Sequence, residues 1–258
     1  MPYVTVNGVR LYYEEHGSGE PILCIHATSS SALVWGPAVE KLAELGRVIV
    51  YDRRGCTRSE RPEPYETTSV GEHANDAHEL LRALDAEPAI AIGRSTGGII
   101  ALDLALRHPD SVRALVLLEA DPAGLSAEHD AWVAAVTEKV ERAAAEQGMG
   151  VVGETLIREV LGEWEGLPRE LREMFSANGP AILAELRGDL GIERARLEEL
   201  RAPTLIVSAA ESPESFRQVT DELARGIPGA RAVRVGGGHL VNPADPSVLE
   251  FVAEVLER

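Results

Sequence analysis

Residues 90–99 read Ile-Ala-Ile-Gly-Arg-Ser-Thr-Gly-Gly-Ile and place Ser95 between an apolar run and a helix-like run. The pattern Gly-x-Ser-x-Gly allows a tight turn from a strand into a helix, because glycines flank the serine at two positions on either side. Such a turn, a nucleophile elbow, lifts the serine hydroxyl above the end of a sheet. The bare pattern is weak evidence in a chain with 24 glycines, so its place between a strand and a helix carries the inference. The alternative interpretation is a glycine-rich turn that only caps a helix.

Short apolar runs on both sides of this motif predict the strands of a mostly parallel sheet. They span residues 3–6, 9–15, 21–25, 47–51, 89–92, 112–118, 203–208 and 230–235. Segments with apolar residues at helical spacing lie between or after them, at residues 33–45, 68–84, 97–107 and 247–256. This alternation predicts an α/β fold, in which helices cover both faces of the sheet.

Residues 122–201 interrupt the alternation. This stretch has no strand-like run and is rich in Ala, Glu, Arg and Leu, which favours helices. We therefore predict two parts, an α/β core of residues 1–121 and 202–258 and a helical cap, or lid, of residues 122–201.

Composition limits the possible functions. The 258 residues carry 25 basic and 42 acidic side chains, a formal net charge of −17, which disfavours nucleic acid and anionic membranes as partners. No apolar run is long enough for a membrane-spanning helix. The first residues lack the basic and apolar segments of a secretion signal, so we expect a soluble cytoplasmic protein. Cys24 and Cys56 fit neither a disulfide framework nor a metal site, and we expect both to be free.

The strand order, the elbow and a late histidine together resemble the α/β-hydrolase family over nearly the whole chain. Residues 51–59, Tyr-Asp-Arg-Arg-Gly-Cys-Thr-Arg-Ser, also resemble a loop that marks the family's fold. The resemblance implies Ser95 as the nucleophile and His239, which follows the last predicted strand, as the general base. A serine hydroxyl needs such a base, because it is a poor nucleophile until an imidazole takes its proton. We expect four other histidines to be exposed to solvent, because they lie in helical or polar stretches: His73, His78, His108 and His129.

The third member of the implied triad departs from the common pattern. Many relatives carry an aspartate where this chain has Ser212, in Ala210-Glu211-Ser212-Pro213. Other branches, including haloalkane dehalogenases and a zearalenone-type lactonase, place the acid at the end of the strand after the elbow helix, which here is Glu119. We predict that Glu119 orients His239, with Glu211 as the second choice and Asp121 as the third.

The family's oxyanion hole maps onto the backbone N–H groups of Thr96 and Thr28. The family's His-Gly reads His26-Ala27 here, and alanine restricts the backbone at this bend. His26 is interpreted as a residue that orients the loop. Arg94 has two interpretations: it packs beneath the elbow with its charge paired to a carboxylate, or it faces the site and favours an acidic substrate.

These features predict a serine hydrolase that cleaves a carboxylic ester or lactone through an acyl-enzyme, without a metal or cofactor. A medium-sized, partly apolar small molecule is the expected substrate, and Trp35, Trp132 and Trp164 are candidate pocket residues. Three alternatives remain. The first is a different reaction on the same triad, either carbon–carbon bond hydrolysis or cofactor-free perhydrolase or haloperoxidase chemistry. The second is a non-hydrolytic ligand-binding or cyclase role, and the third is a purely structural partner protein, against which the intact Ser95 and His239 argue.

Overall fold

The computed structural model describes residues 2–257, so the two ends of the predicted core, Met1 and Arg258, lie outside the described residues. Within this range one sheet contains the strands β1 (Tyr3–Val6), β2 (Val9–His16), β3 (Pro21–Ile25), β4 (Arg47–Tyr51), β5 (Ala89–Arg94), β6 (Val112–Leu118), β7 (Thr204–Ala209) and β8 (Arg231–Val235). Their order across the sheet is β1-β2-β4-β3-β5-β6-β7-β8. The β1–β2 and β2–β4 pairs are antiparallel, and the pairs from β4 to β8 are parallel. The predicted α/β fold with a mostly parallel sheet is confirmed.

Helices follow most of the strands. They are α1 (Gly36–Ala43), α2 (Val70–Ala83), α3 (Thr96–Arg107), α4 (Ala127–Gln147), α5 (Val152–Leu161), α6 (Arg169–Ala177), α7 (Gly179–Leu186), α8 (Glu214–Gly226) and α9 (Pro246–Leu256). The sequence patterns did not predict α8. Its buried residues Phe216, Val219 and Leu223 have the i, i+3, i+7 spacing of an amphipathic helix, so the signal for this helix was present in the sequence.

The sheet separates two apolar layers. Residues from α2, α3 and α8 pack on one face, and residues from α1 and α9 pack on the other. Strand β5 serves both layers, because Ala89 and Ala91 point into the first while Ile90 and Ile92 point into the second. Burial of all six of its residues places the end of β5, and therefore Ser95, at the centre of the sheet edge.

Helices α4–α7 lie between β6 and β7 in the sequence, in the stretch for which we predict a cap; we call them the inserted helices. Ala123 and Gly191 form a parallel bridge that joins the two ends of this stretch. The inserted helices have an apolar cluster of their own, formed by Val136, Val140, Val152, Leu156, Ile182 and Leu183. No helix in residues 2–257 combines the length and the apolar character that crossing a membrane requires.

Candidate active site

Ser95 occupies a strained turn between β5 and α3. Its backbone has φ 50° and ψ −126°, a conformation that L-residues with a side chain adopt at a cost of about 1–3 kcal/mol. A side chain at Gly93 would collide with the carbonyl of Gly97, and one at Gly97 would collide with the carbonyl of Ile25. The glycines are therefore needed for the close approach of strand and helix, as the elbow motif predicts.

Glu119 leaves β6 in the left-handed region, with φ 48°, and its carboxylate turns towards β7 and His239. Its Oε1 accepts a hydrogen bond from the Ala209 N–H at 2.6 Å, and its Oε2 accepts one from Ser212 Oγ at 2.6 Å. The Nδ1–H of His239 donates to the same Oε2 at 3.2 Å. Burial acts to raise the pKa of Glu119. The hydrogen bonds from His239, Ser212 and the Ala209 backbone lower this pKa by more than burial raises it, so the pKa lies below its ordinary value. The carboxylate is thus held ionised beside the imidazole.

A second carboxylate, Asp121, faces the nucleophile. Ser95 Oγ donates a hydrogen bond to Asp121 Oδ1 at 3.2 Å. The other oxygen, Oδ2, lies 3.6 Å from Nε2 of His129, a fully buried side chain. Burial raises the pKa of Asp121, although the nearby His239, His129 and Ser95 act in the opposite direction. Two carboxylates at the end of one strand therefore have opposite pKa shifts, because Glu119 has three hydrogen-bond donors and Asp121 has one.

The side chains of Thr28 and Thr96 meet beside the elbow, with their Oγ1 atoms 2.6 Å apart. Thr96 is the first residue of α3, where backbone N–H groups are free to bind negative charge. Thr28 Oγ1 also donates to Oε2 of Glu185, a buried residue of α7, at 2.8 Å. The other oxygen of Glu185 forms an ion pair of 2.9 Å with Arg53, which is fully buried after β4. A buried network thus joins the inserted helices to both threonines.

His26 is a structural residue of the same loop. Its Nε2 accepts the backbone N–H of Arg53 at 2.9 Å, so Nδ1 carries the proton and donates to the Ala27 carbonyl at 2.8 Å. Burial, together with the charge of Arg53, lowers the pKa of His26 well below its ordinary value. The residue of this loop with a left-handed backbone is Ser29, with φ 66°. Because the bend falls two residues after Ala27, the loop does not need glycine at position 27, where the family has it.

Ser95, Asp121 and His239 line a cavity of about 320 Å³ together with both threonines. The opposite wall is apolar and comes largely from the inserted helices, with Trp132, Val136, Leu156, Val160, Leu161 and Phe175. A hydroxyl at a strained turn, an imidazole held by a carboxylate and a mostly apolar cavity are the parts that nucleophilic acyl transfer requires.

Comparison with known proteins decides the family. A model of the alpha/beta hydrolase fold family matches residues 20–246. This chain is an α/β hydrolase. A curated relative, the putative carbamate hydrolase RutD of Azorhizobium caulinodans, is 30% identical over 262 residues, which cover 96% of this chain and 95% of that protein.

Solved structures agree with this family. One, described as an N-acyl homoserine lactone degrading enzyme, has a TM-score of 0.76 and 29% identity and covers 99% of each chain. Another, the enol-lactonase from Burkholderia xenovorans, has a TM-score of 0.79 and 25% identity and covers 100% of each chain.

The α/β hydrolase departs from several expectations about its site. Of the three candidate pocket tryptophans, Trp132 lines the cavity. Trp35 is buried in the core under Arg94, and Trp164 packs behind the cavity wall against Phe175 without lining the cavity itself. Tryptophan is large and apolar, so its presence in a sequence does not distinguish core packing from a pocket wall.

The expectation of solvated histidines is wrong for two of the four, because His73 and His129 are buried. Arg94 lines the cavity and has no carboxylate partner among residues 2–257, so the first of its two interpretations, packing with a paired charge, is not found. Glu211, the second choice for the acid, is exposed to solvent, whereas Glu119 is 1% exposed.

Sequence reasoning missed the contacts made by Ser212 and Glu185. Ser212 was recognised as the replacement for the common aspartate, and in this hydrolase it donates to the displaced acid. Glu185 had a usable signal, since it is the lone charged residue in the apolar segment Gly-Pro-Ala-Ile-Leu-Ala-Glu-Leu of α7. A lone acid among apolar residues predicts a buried partner.

Proposed function

We propose that this α/β hydrolase cleaves a carboxylic ester or lactone with Ser95 as its nucleophile. The observation that carries the proposal is the Glu119–His239 hydrogen bond in the same cavity as the strained Ser95. A Ser-His-Glu triad has the roles that acyl transfer needs, because the acid fixes the imidazole tautomer and the imidazole takes the serine proton. The acid lies after β6, while the common position holds Ser212.

In the proposed reaction, the Ser95 hydroxyl turns from Asp121 to His239 and attacks the substrate carbonyl carbon. His239 takes the hydroxyl proton, and Glu119 stabilises the imidazolium that results. The N–H groups of Thr96 and Thr28 bind the oxyanion, and the C–O bond breaks as His239 returns the proton to the leaving alkoxide. A water molecule, deprotonated by His239, then hydrolyses the acyl-Ser95 ester and restores the free hydroxyl.

The cavity supports a substrate of medium size with a largely apolar body. Its volume of about 320 Å³ lies at the lower end of the usual range for small-molecule sites. The inserted helices supply most of its apolar wall, so they act as a cap that selects the substrate and excludes water. The names of the relatives, a lactonase, a lactone-degrading enzyme and a carbamate hydrolase, support a test panel of esters, lactones and carbamates.

Labelling with a fluorophosphonate, read by intact-mass spectrometry, tests the nucleophile and the acid together. We expect one adduct on the wild type, none on Ser95→Ala and a strongly slowed adduct on Glu119→Gln. Glu211→Gln is the matched control, because it makes the same chemical change at an exposed carboxylate.

The outcomes separate the remaining alternatives. Turnover of aryl esters or lactones by the wild type, lost in Ser95→Ala, supports the proposal. An adduct without turnover of any ester, lactone or carbamate contradicts the proposed bond specificity and favours carbon–carbon bond hydrolysis or a ligand-binding or cyclase role. A folded wild type that stays unlabelled contradicts the proposed nucleophile.

A further inference from the structure

Three arginines are buried among residues 2–257, and they differ in one respect. Arg53 is paired with Glu185 at 2.9 Å, and Arg54 is paired with Asp76 at 2.6 Å. Arg94, whose residue is 7% exposed, has no carboxylate beside it. A buried charge without a partner is unfavourable, so the uncompensated guanidinium calls for a functional explanation.

The surroundings of Arg94 leave most of its hydrogen-bonding capacity unused. Its Nη2 donates to the carbonyl of Val241 at 2.8 Å, its Cζ lies 5.6 Å from the ring centroid of Trp35, and its Nε has no hydrogen-bond partner. The titratable neighbour is Cys24, and burial raises the pKa of this thiol, so it stays neutral. Burial lowers the pKa of Arg94 to about 10, and the guanidinium therefore remains charged at neutral pH.

Arg94 lines the cavity, and so do Leu33 and Leu240. Leu33 and Leu240 are 40% and 55% exposed, so the cavity has a lining that reaches the surface. An anionic group that enters here meets the guanidinium next to the nucleophile in sequence.

We propose that Arg94 binds a carboxylate of the substrate, so that the preferred substrate is an ester or lactone that carries a free carboxylate besides the bond to be broken. A guanidinium suits this role, because its planar N–H donors match the two oxygens of a carboxylate. The inference rests on the proposed function for the bond that is cleaved, but carboxylate binding can be measured without turnover.

The net charge of the whole protein does not determine whether an anion binds next to Arg94. The net charge of −17 repels anions at long range, but salt screens exposed charges beyond about 10 Å. Near the cavity, the Glu119 carboxylate accepts three hydrogen bonds, and the Asp121 carboxylate contacts Ser95 and His129. The unpaired guanidinium is therefore the group that sets the local preference.

Matched substrates test this inference. The phenyl monoesters of the diacids from succinate to adipate end in a carboxylate, and their terminal carboxamides have the same shape without the charge. We expect the wild type to favour the carboxylate ester by at least about tenfold in kcat/KM at the best chain length. Arg94→Gln should lose this ratio chiefly through KM, and Arg94→Lys should retain part of it, because it keeps the charge without the planar fork.

Binding to the Ser95→Ala protein separates this inference from the proposed function. Calorimetry compares the monoamide of glutarate, which keeps one carboxylate, with the diamide, which has none. The monoamide should bind more tightly, and adding Arg94→Gln should abolish the difference. A wild type that hydrolyses both esters equally at every chain length overturns the carboxylate site and leaves the ester hydrolase intact. Without turnover of either ester, the preference for the monoamide over the diamide decides the site alone, and this readout also stands if Arg94→Gln does not fold.

Discussion

The sheet side and the helix side of the cavity hold their side chains by different means. On the sheet side, Ser95, Glu119 and Asp121 follow two adjacent strands, and hydrogen bonds fix each of them. On the helix side, apolar contacts dominate, and Glu185 makes the polar contact to Thr28. The positions of the reacting groups therefore depend on the sheet, whereas the shape of the cavity depends on the packing of the inserted helices.

The largest effect is expected on the sheet side, at Glu119. Glu119→Gln keeps the shape but removes the charge that stabilises the imidazolium, so kcat for an aryl ester should fall by about 10³–10⁴. Steady-state kinetics measure this loss, and circular dichroism checks that the variant is folded. Glu211→Gln should retain the wild-type kcat, and an equal loss in both variants would contradict the assignment of the acid.

Glu185 joins the helix side to the sheet side through its contact with Thr28. Two substitutions separate its role as the counter-charge of Arg53 from its role as the hydrogen-bond acceptor of Thr28. Both Glu185→Gln and Glu185→Ala leave Arg53 buried without a counter-charge, so the free energy of unfolding should fall by about 3–5 kcal/mol. Only Glu185→Ala also removes the acceptor for the Thr28 hydroxyl. Its kcat should therefore fall by about tenfold more than the kcat of Glu185→Gln. This decrease is smaller than the decrease expected when a whole oxyanion donor is lost.

Urea unfolding and aryl ester kinetics at neutral pH measure these two quantities. Arg53→Met combined with Glu185→Gln should recover part of the stability, since no unpaired charge remains. A kcat that is equal in the Gln and Ala variants would show that the helix side does not position Thr28.

The two carboxylates of the sheet side should affect stability with opposite signs. Because the pKa of Asp121 is raised above its ordinary 3.8 in the folded state, its ionisation opposes folding as the pH rises above that value. Asp121→Asn should therefore gain stability over the wild type at neutral pH, and the gain should vanish in acid. The pKa of Glu119 is lowered below its ordinary 4.5, so its stabilisation is present above that value and is lost as the pH falls through the folded-state pKa.

Unfolding of the wild type, Asp121→Asn and Glu119→Gln from about pH 2.5 to about pH 8 measures this difference. Glu119→Gln should be less stable than the wild type at neutral pH and should approach it in acid. The same sign for both variants at neutral pH would show that the two environments are alike.

The smallest effect is expected on the helix side, at the cavity wall. Trp132→Leu reshapes the cavity without touching the reacting groups, so KM should change by several-fold with little change in kcat. Trp164→Leu is the matched control, because Trp164 packs behind the cavity wall, on Phe175, and does not line the cavity itself. It should lower thermal stability and change KM less than Trp132→Leu does. Equal changes in KM for both variants would contradict this separation.

Sequence reasoning was most effective where a local pattern has a local cause. The elbow glycines, the strand before them and the helix after them are neighbours in the chain, and the predicted strands agree with the observed ones to within a few residues. Glu119 came from the resemblance to family branches that place the acid after this strand, and its position directly after a buried strand agrees with that choice. The helix α8 was missed although Phe216, Val219 and Leu223 have helical spacing, and the sequence did not distinguish a core position from a pocket position for Trp35 and Trp164.

Residue order was enough to predict the α/β fold and the elbow at Ser95, because strand periodicity and glycine spacing are properties of short segments. The resemblance to the family added His239 and Glu119. Tertiary structure decided the partners: Asp121 on Ser95, Glu185 on Thr28, and for Arg94 the Val241 carbonyl but no carboxylate among residues 2–257. These contacts join residues that lie up to 157 positions apart, and a carboxylate or guanidinium has the same letter in the sequence whether it is paired or alone. Its role depends on burial and on the groups that the fold brings within hydrogen-bond distance.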